Sequence, residues 1–283
     1  MRGALIFGWG LMFAVACSVP AEQSVDAGTD AGGDESWGFC TGDGLFGRPS
    51  PNTGLSDEEC TDICVDCADG PFSAPLYDEA FVEALLAWEL VDPPAALEAN
   101  PYEEPEIWPL DEASVCAVVV VDEVARTYRL ETFPSASDAD DAGAIITHDG
   151  ACGLCSDLES LAVYAGVGDL TEPVRQCGIQ AMVGGQERGM ECLMDIGFNE
   201  ACASIWYWNT VNTREHCQDL CLAQFGDPYH LPDGSLNSCL QCDEEISGPV
   251  FKAVAGRTRR NSGLATALCR PCSEVRPLVH SYE

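Results

Sequence analysis

Residues 115–133 read VCAVVVVDEVARTYRLETF, and the way this stretch divides decides the fold. Residues 115–121 are an unbroken apolar run rich in β-branched side chains, whereas 126–133 alternate Tyr128 and Leu130 with Arg129 and Glu131. Successive side chains of a strand point to opposite faces, so alternation with period two marks a half-buried strand. The two runs are expected to pair as a small antiparallel β-hairpin.

Upstream, residues 78–90 (DEAFVEALLAWEL) predict a helix. Phe81, Leu85 and Trp88 recur on one face as core residues, Asp78 suits the N-cap, and Pro93-Pro94 stop the element. A proline-rich acidic link over 101–109 leads into the hairpin, and 135–141 (SASDADD) predict a surface loop and a subdomain boundary. Downstream the pattern is helical. Ser156-Asp157-Leu158-Glu159 has the form of a capping box, and helices are expected over 171–182, 190–196, 199–208, 213–225 and 238–246, with a last short one ending at Gly256. Cys217 and Cys221 share one helix face, which is expected to staple that helix to two different neighbours. The fold class expected is mainly α and disulfide-rich, with a small antiparallel β-hairpin (α+β).

Towards the N-terminus, residues 37–71 carry Trp37, Cys40, Cys60, Cys64 and Cys67 among Gly, Pro, Asn and Asp, a composition for a loop-rich stapled entry with at most one short helix over 57–64. Residues 18–36 are small, polar and acidic and bury too little to offset ordering entropy, so they read as a flexible tether. Before them, Arg2 precedes a 14-residue apolar run, GALIFGWGLMFAVA. A membrane span needs about 20 apolar residues, so the run reads as a secretory signal. Ala14-Val-Ala-Cys17 resembles the lipobox of bacterial lipoproteins. That resemblance implies cleavage before Cys17, a lipid on Cys17, and a protein held to a membrane in the bacterial cell envelope, on the periplasmic face or the cell surface. The cysteine-rich body itself resembles no characterised family. The organisation expected is signal peptide 1–16, lipidated cysteine and tether 17–36, an acidic cysteine-containing subdomain 37–141 with helix and hairpin, and a helical cysteine-rich subdomain 142–283.

Forty-seven acidic residues against 13 basic ones give a formal charge of −34, which repels phosphate and excludes nucleic acid as a partner. If Cys17 carries lipid, 16 of the 17 cysteines remain, an even number suited to disulfides in an oxidising compartment.

Four C-x-x-C pairs occur, at 64/67, 152/155, 239/242 and 269/272, and ordinary half-cystines are the expected reading for each. Cys152 and Cys155 stand apart, because a short strand (144–147), His148, C-G-L-C and a capped helix follow the local logic of a thioredoxin-like redox site, where a helix N-terminus favours thiolate. His148 with Cys152 and Cys155, or His216 with Cys217 and Cys221, also offers soft ligands and imidazole for copper. Cys239, Cys242, Cys269 and Cys272 have the form of a zinc site. The second candidate is a reversal of charge near the C-terminus, KAVAGRTRRNSG, in which Arg257, Arg259 and Arg260 offer planar forks to an anion.

No G-x-S-x-G, H-E-x-x-H, P-loop or EF-hand pattern is present, so spacing assigns no catalytic residue, and no resident cofactor is expected. The leading reading is a lipid-anchored, disulfide-rich binding module for an anionic small ligand or peptide at Arg257, Arg259 and Arg260. Two alternatives stand beside it: a thiol-disulfide oxidoreductase or metal-dependent oxidase using Cys152, Cys155 and His148, and a structural envelope protein.

Overall fold

A computed structural model of the protein describes residues 45–46, 50–56, 74–108, 113–271 and 275–282. The signal segment, Cys17, the tether, the helix expected over 57–64 and Cys272 lie outside the described residues. In chain order the elements are β1 (Leu45–Phe46), α1 (Glu79–Leu86), β2 (Glu89–Leu90), two single 3-10 turns, β3 (Val115–Asp122), β4 (Thr127–Phe133), α2 (Ala136–Asp141), β5 (Ile145–Asp149), α3 (Leu158–Gly166), α4 (Thr171–Asp195), α5 (Glu200–Ala223), α6 (Ser238–Ile246), α7 (Gly248–Ala255), a third 3-10 turn (Arg260–Ser262) and β6 (Arg270–Pro271).

The expected hairpin is the middle of a larger sheet, which corrects the fold class. Four strands run in the order β2-β4-β3-β5, with β2 parallel to β4 and the other two pairings antiparallel, while β1 and β6 form a separate antiparallel pair. Among the described residues the protein therefore has seven helices and a four-stranded mixed sheet. The physical reason lies in β3. A strand in a two-stranded ribbon would alternate, but β3 is covered on both faces. Val115 and Ala117 pack with Phe133, Ala139 and Ala144 under α2, and Val118 belongs to the large helical core with Leu85, Leu158, Leu161 and Ile205.

Three further expectations shift. The helix over 78–90 stops at Leu86, and Glu89–Leu90 instead pair with Thr127–Tyr128, the Glu89 and Val91 amides donating to Arg126 and Tyr128 carbonyls at 2.9 Å each. Residues 135–141 form the helix α2, because the Ser135 hydroxyl accepts from the Asp138 amide as an N-cap. β5 pairs with β3 across the expected boundary at 141, and the described residues on both sides of it belong to one compact unit.

The helical half follows the sequence pattern with one change, the union of two expected helices, while the break expected between 182 and 190 falls inside α4. The helices expected over 199–208 and 213–225 are one continuous α5, capped by Asn199. α4 is broken at Gly185, where φ is 74° and ψ −167°. Fifteen residues of straight helix would span about 22 Å, yet Cys177 and Cys192 have Cα atoms 5.3 Å apart and are disulfide-bonded, so the chain turns back on itself at this glycine.

Five disulfides join described cysteines: Cys116–Cys152, Cys155–Cys202, Cys177–Cys192, Cys217–Cys242 and Cys221–Cys239. The last two connect α5 to α6 as parallel rungs, so Cys217 and Cys221 staple α5 to one neighbour and not to two. Disulfides persist in oxidising, exported surroundings, and these five mark the protein as belonging there. No helix of the described residues is long and apolar enough to cross a membrane.

Candidate functional site

α7 ends at Gly256, whose φ of 72° turns the chain sharply and sends Arg257 inward. The Arg257 side chain is fully buried. All five of its N–H groups are occupied: Nε donates to the Cys155 carbonyl at 3.0 Å, one terminal nitrogen to the Thr147 carbonyl (2.9 Å) and Ser262 hydroxyl (3.1 Å), the other to the Thr147 hydroxyl (2.5 Å) and Ser156 carbonyl (2.8 Å). Every acceptor is neutral, so the guanidinium is held by dipoles, and burial lowers its pKa.

His148, the residue singled out beside the C-G-L-C pair, belongs to the same cluster. Its Nε2 lies 2.7 Å from the Ser156 hydroxyl and its Nδ1 2.8 Å from the Asp149 carbonyl. A Ser–His contact of this length has the form of an activated nucleophile, but both side chains are wholly buried. Burial, reinforced by the Arg257 charge, lowers His148 to about 3, and His280 is lowered to about 3 for the same reasons. Tyr282 donates to the Thr147 hydroxyl at 2.9 Å, so the C-terminal segment closes over this cluster.

The C-G-L-C segment serves the same packing. Leu154 and Cys155 amides donate to the Val254 and Ala255 carbonyls at 2.9 Å, laying the segment against the end of α7. A Cβ on Gly153 would stand 2.4 Å from the Val254 carbonyl oxygen, so the glycine that suggested a redox motif is required by this contact. Cys152 is bonded to Cys116 and Cys155 to Cys202; the motif holds no internal disulfide. The capping box also shifts by one residue: Asp157 caps α3 through the Ser160 amide (2.7 Å), and Ser156 turns to His148. The zinc pattern is likewise taken up by cross-links, since Cys239 and Cys242 are bonded to Cys221 and Cys217, and Cys269 is also disulfide-bonded. Among the described residues no group of three or more His, Cys, Asp or Glu side chains is placed to hold a metal ion.

Arg259 and Arg260 face elsewhere. Both line a cleft of about 390 Å³ bounded by α3 to α7. Its wall includes Leu170, Val174, Leu240 and Phe251, with Trp206 packed edge-on to Phe251 at 4.6 Å between ring centroids. At its border the Asp243 carboxyl accepts from Asn209 (3.3 Å) and from the Thr213 hydroxyl, and burial raises its pKa. Arg259 donates to the Tyr164 carbonyl (2.8 Å), the Ala265 carbonyl (3.0 Å) and the Val167 carbonyl, and its guanidinium lies 5.7 Å from the Tyr164 ring centroid. Burial lowers it to about 10. Arg260 donates to Glu244 at 2.7 Å, with Lys252 3.7 Å from the same carboxylate. The three arginines thus do not converge: Arg257 is enclosed, and Arg259 and Arg260 stand at the cleft.

Arg175 and Arg214 join them there, and sequence spacing had singled out neither. Each is a lone cation within a helical pattern, and the only available signal was the rarity of basic residues in so acidic a chain. The lining holds five cations (Arg175, Arg214, Lys252, Arg259, Arg260) and three carboxyls (Asp169, Asp243, Glu244), a formal balance of +2 in a chain of −34.

A family described only as a family of unknown function (DUF8771) matches residues 186–277. That span contains α5, the two rungs to α6, and Arg257, Arg259 and Arg260, while the α4 wall of the cleft formed by Leu170 to Met182 precedes it. No curated protein and no solved structure matches the chain.

Proposed function

We propose that the protein is an exported binding module, tethered by lipid on Cys17, whose cleft between α3 and α7 receives an anionic ligand. The observation that carries this reading is electrostatic: five of the 13 basic residues line one cleft that holds three of the 47 acidic ones. Low-dielectric walls focus such a local reversal of sign, so an anion repelled by the rest of the surface is attracted here. The leading site moves from Arg257, whose donors are all occupied, to Arg214, Lys252, Arg259 and Arg260.

Organic anions are expected to raise the thermal midpoint, and matched organic cations to leave it unchanged. Reversing the field with Arg214→Glu and Lys252→Glu removes the rise; a rise that survives both substitutions defeats the reading. The anchor has its own test. The intact mature protein is expected to begin at Cys17 with lipid mass attached, and an unmodified Cys17 behind an uncleaved 1–16 would overturn it.

A further inference from the structure

The mouth of the cleft is apolar as well as cationic. Ile179 and Met182 on α4 and Leu222 and Phe225 on α5 and just beyond it all line it, and they are 43, 58, 65 and 59% exposed. Arg175 lies 5.8 Å from the Phe225 ring centroid. Arg214, at the same cleft, makes no ion pair among the described residues, and Arg259 has two N–H groups beyond the three that its carbonyl partners occupy. Exposed apolar surface next to an uncompensated cation is complementary to a molecule with both features in one body.

Resting on the binding-module reading above, we infer that the cleft takes a monomeric amphipathic monocarboxylate, its hydrocarbon body against Val174, Ile179, Met182 and Leu222 and its carboxylate at Arg214. Two observations favour a free small molecule over a bilayer surface or an acidic peptide. A volume of about 390 Å³ lies in the range of small-molecule sites. A net charge of −34 repels an extended anionic partner, while a single carboxylate reaches the local cations with little of that repulsion.

The test is calorimetric titration of the mature chain with straight-chain carboxylates from butanoate to dodecanoate, kept below their micelle concentrations. Affinity is expected to rise about fourfold per added methylene, the ratio that burial of one CH₂ confers. Dodecanol and dodecyltrimethylammonium should bind at least about tenfold more weakly than dodecanoate, since each lacks the charge-assisted contact. Arg214→Gln should lower dodecanoate affinity by about tenfold or more and keep the chain-length slope. Met182→Asp with Leu222→Asp, both at exposed positions, should flatten the slope while the thermal midpoint without ligand stays put. If short carboxylates, phosphate or an acidic peptide bind as well as dodecanoate, the amphipathic ligand is overturned and the anion-binding module survives. If no anion binds, both fall. Binding to phosphatidylglycerol vesicles without binding to free dodecanoate also overturns the inference.

Discussion

Arg257 and Arg259 stand two residues apart in one loop and have opposite fates. Arg257 is enclosed by five protein acceptors contributed by Thr147, Cys155, Ser156 and Ser262, and its charge organises structure. Arg259 gives three hydrogen bonds to carbonyls and stands at the wall of an open, apolar cleft. A buried guanidinium with all its donors matched is a fastener, whereas one with donors left over beside a cavity can serve as the recognition element proposed for this cleft. The same residue type in the same sequence context therefore says little until its acceptors are counted.

The largest test of this contrast removes the fastener. Arg257→Met strips donors from three buried carbonyls and two buried hydroxyls, and unfolding by denaturant should show a loss of about 3–5 kcal/mol. A loss below about 1 kcal/mol would mean that the cluster is not what closes this region of the fold.

Acid should weaken the same region and leave the cleft's cations charged. His148 and His280 have folded pKa values of about 3, below the unfolded value near 6.5. A depressed pKa means that the unfolded chain binds more protons between those limits, so stability present above pH 6.5 is lost as the pH falls towards 3. The slope is about 1.4 kcal/mol per pH unit for each histidine, or roughly 2 kcal/mol each by pH 5. The groups facing this pair include Arg257, Asp149 and Tyr282, and Arg257 keeps its charge throughout. Denaturant midpoints measured from pH 7.5 to 4.5 should show the slope, and His148→Gln should remove about half of it.

Gly153→Ala brings a Cβ to 2.4 Å from the Val254 carbonyl oxygen and 2.6 Å from the Ala255 carbonyl carbon, so a loss of about 1–3 kcal/mol is expected. If this substitution instead left stability unchanged, the reading of the glycine as a packing requirement would fail. Arg214→Gln sits at the other end of the scale. With no ion pair among the described residues to lose, its effect on stability should stay within about 0.5 kcal/mol, however large its effect on ligand binding.

Most helices were legible because they carry local signals: Asp78 caps as the sequence suggests, the helix that starts at 199 opens on a polar residue, and Gly256 ends α7. The sheet was half legible. The alternation of β4 is visible in Tyr128 and Leu130, but β2 has two residues and is recruited by pairing with β4, which no local pattern announces. Residues 115–121 did carry a sign of a central strand in their lack of alternation, since a strand covered on both faces has no polar side to show. The site was least legible. His148, Cys152 and Cys155 imitate a redox motif within residues 148–155, and what assigns them to structure is Cys116, Cys202 and Arg257, which lie 36, 47 and 102 residues from their cysteine partners. The cleft likewise draws Arg175 and Arg214 from two helices whose own sequences show nothing that sets these cations apart.

Where Arg257 finds its acceptors also separates the unit that is similar to other chains from the unit that can fold. The matched span, 186–277, contains Arg257 but not Thr147, Cys155 or Ser156, which supply four of its five hydrogen bonds. It also contains Cys192 and Cys202 without Cys177 and Cys155. Excised at those limits, the segment would carry a charged side chain with a desolvated place to go and nothing there to receive it, together with the orphan thiols of Cys192 and Cys202. A recombinant fragment, or a natural protein that shares only this segment, must either begin upstream of Thr147 or supply substitutes for that wall from elsewhere.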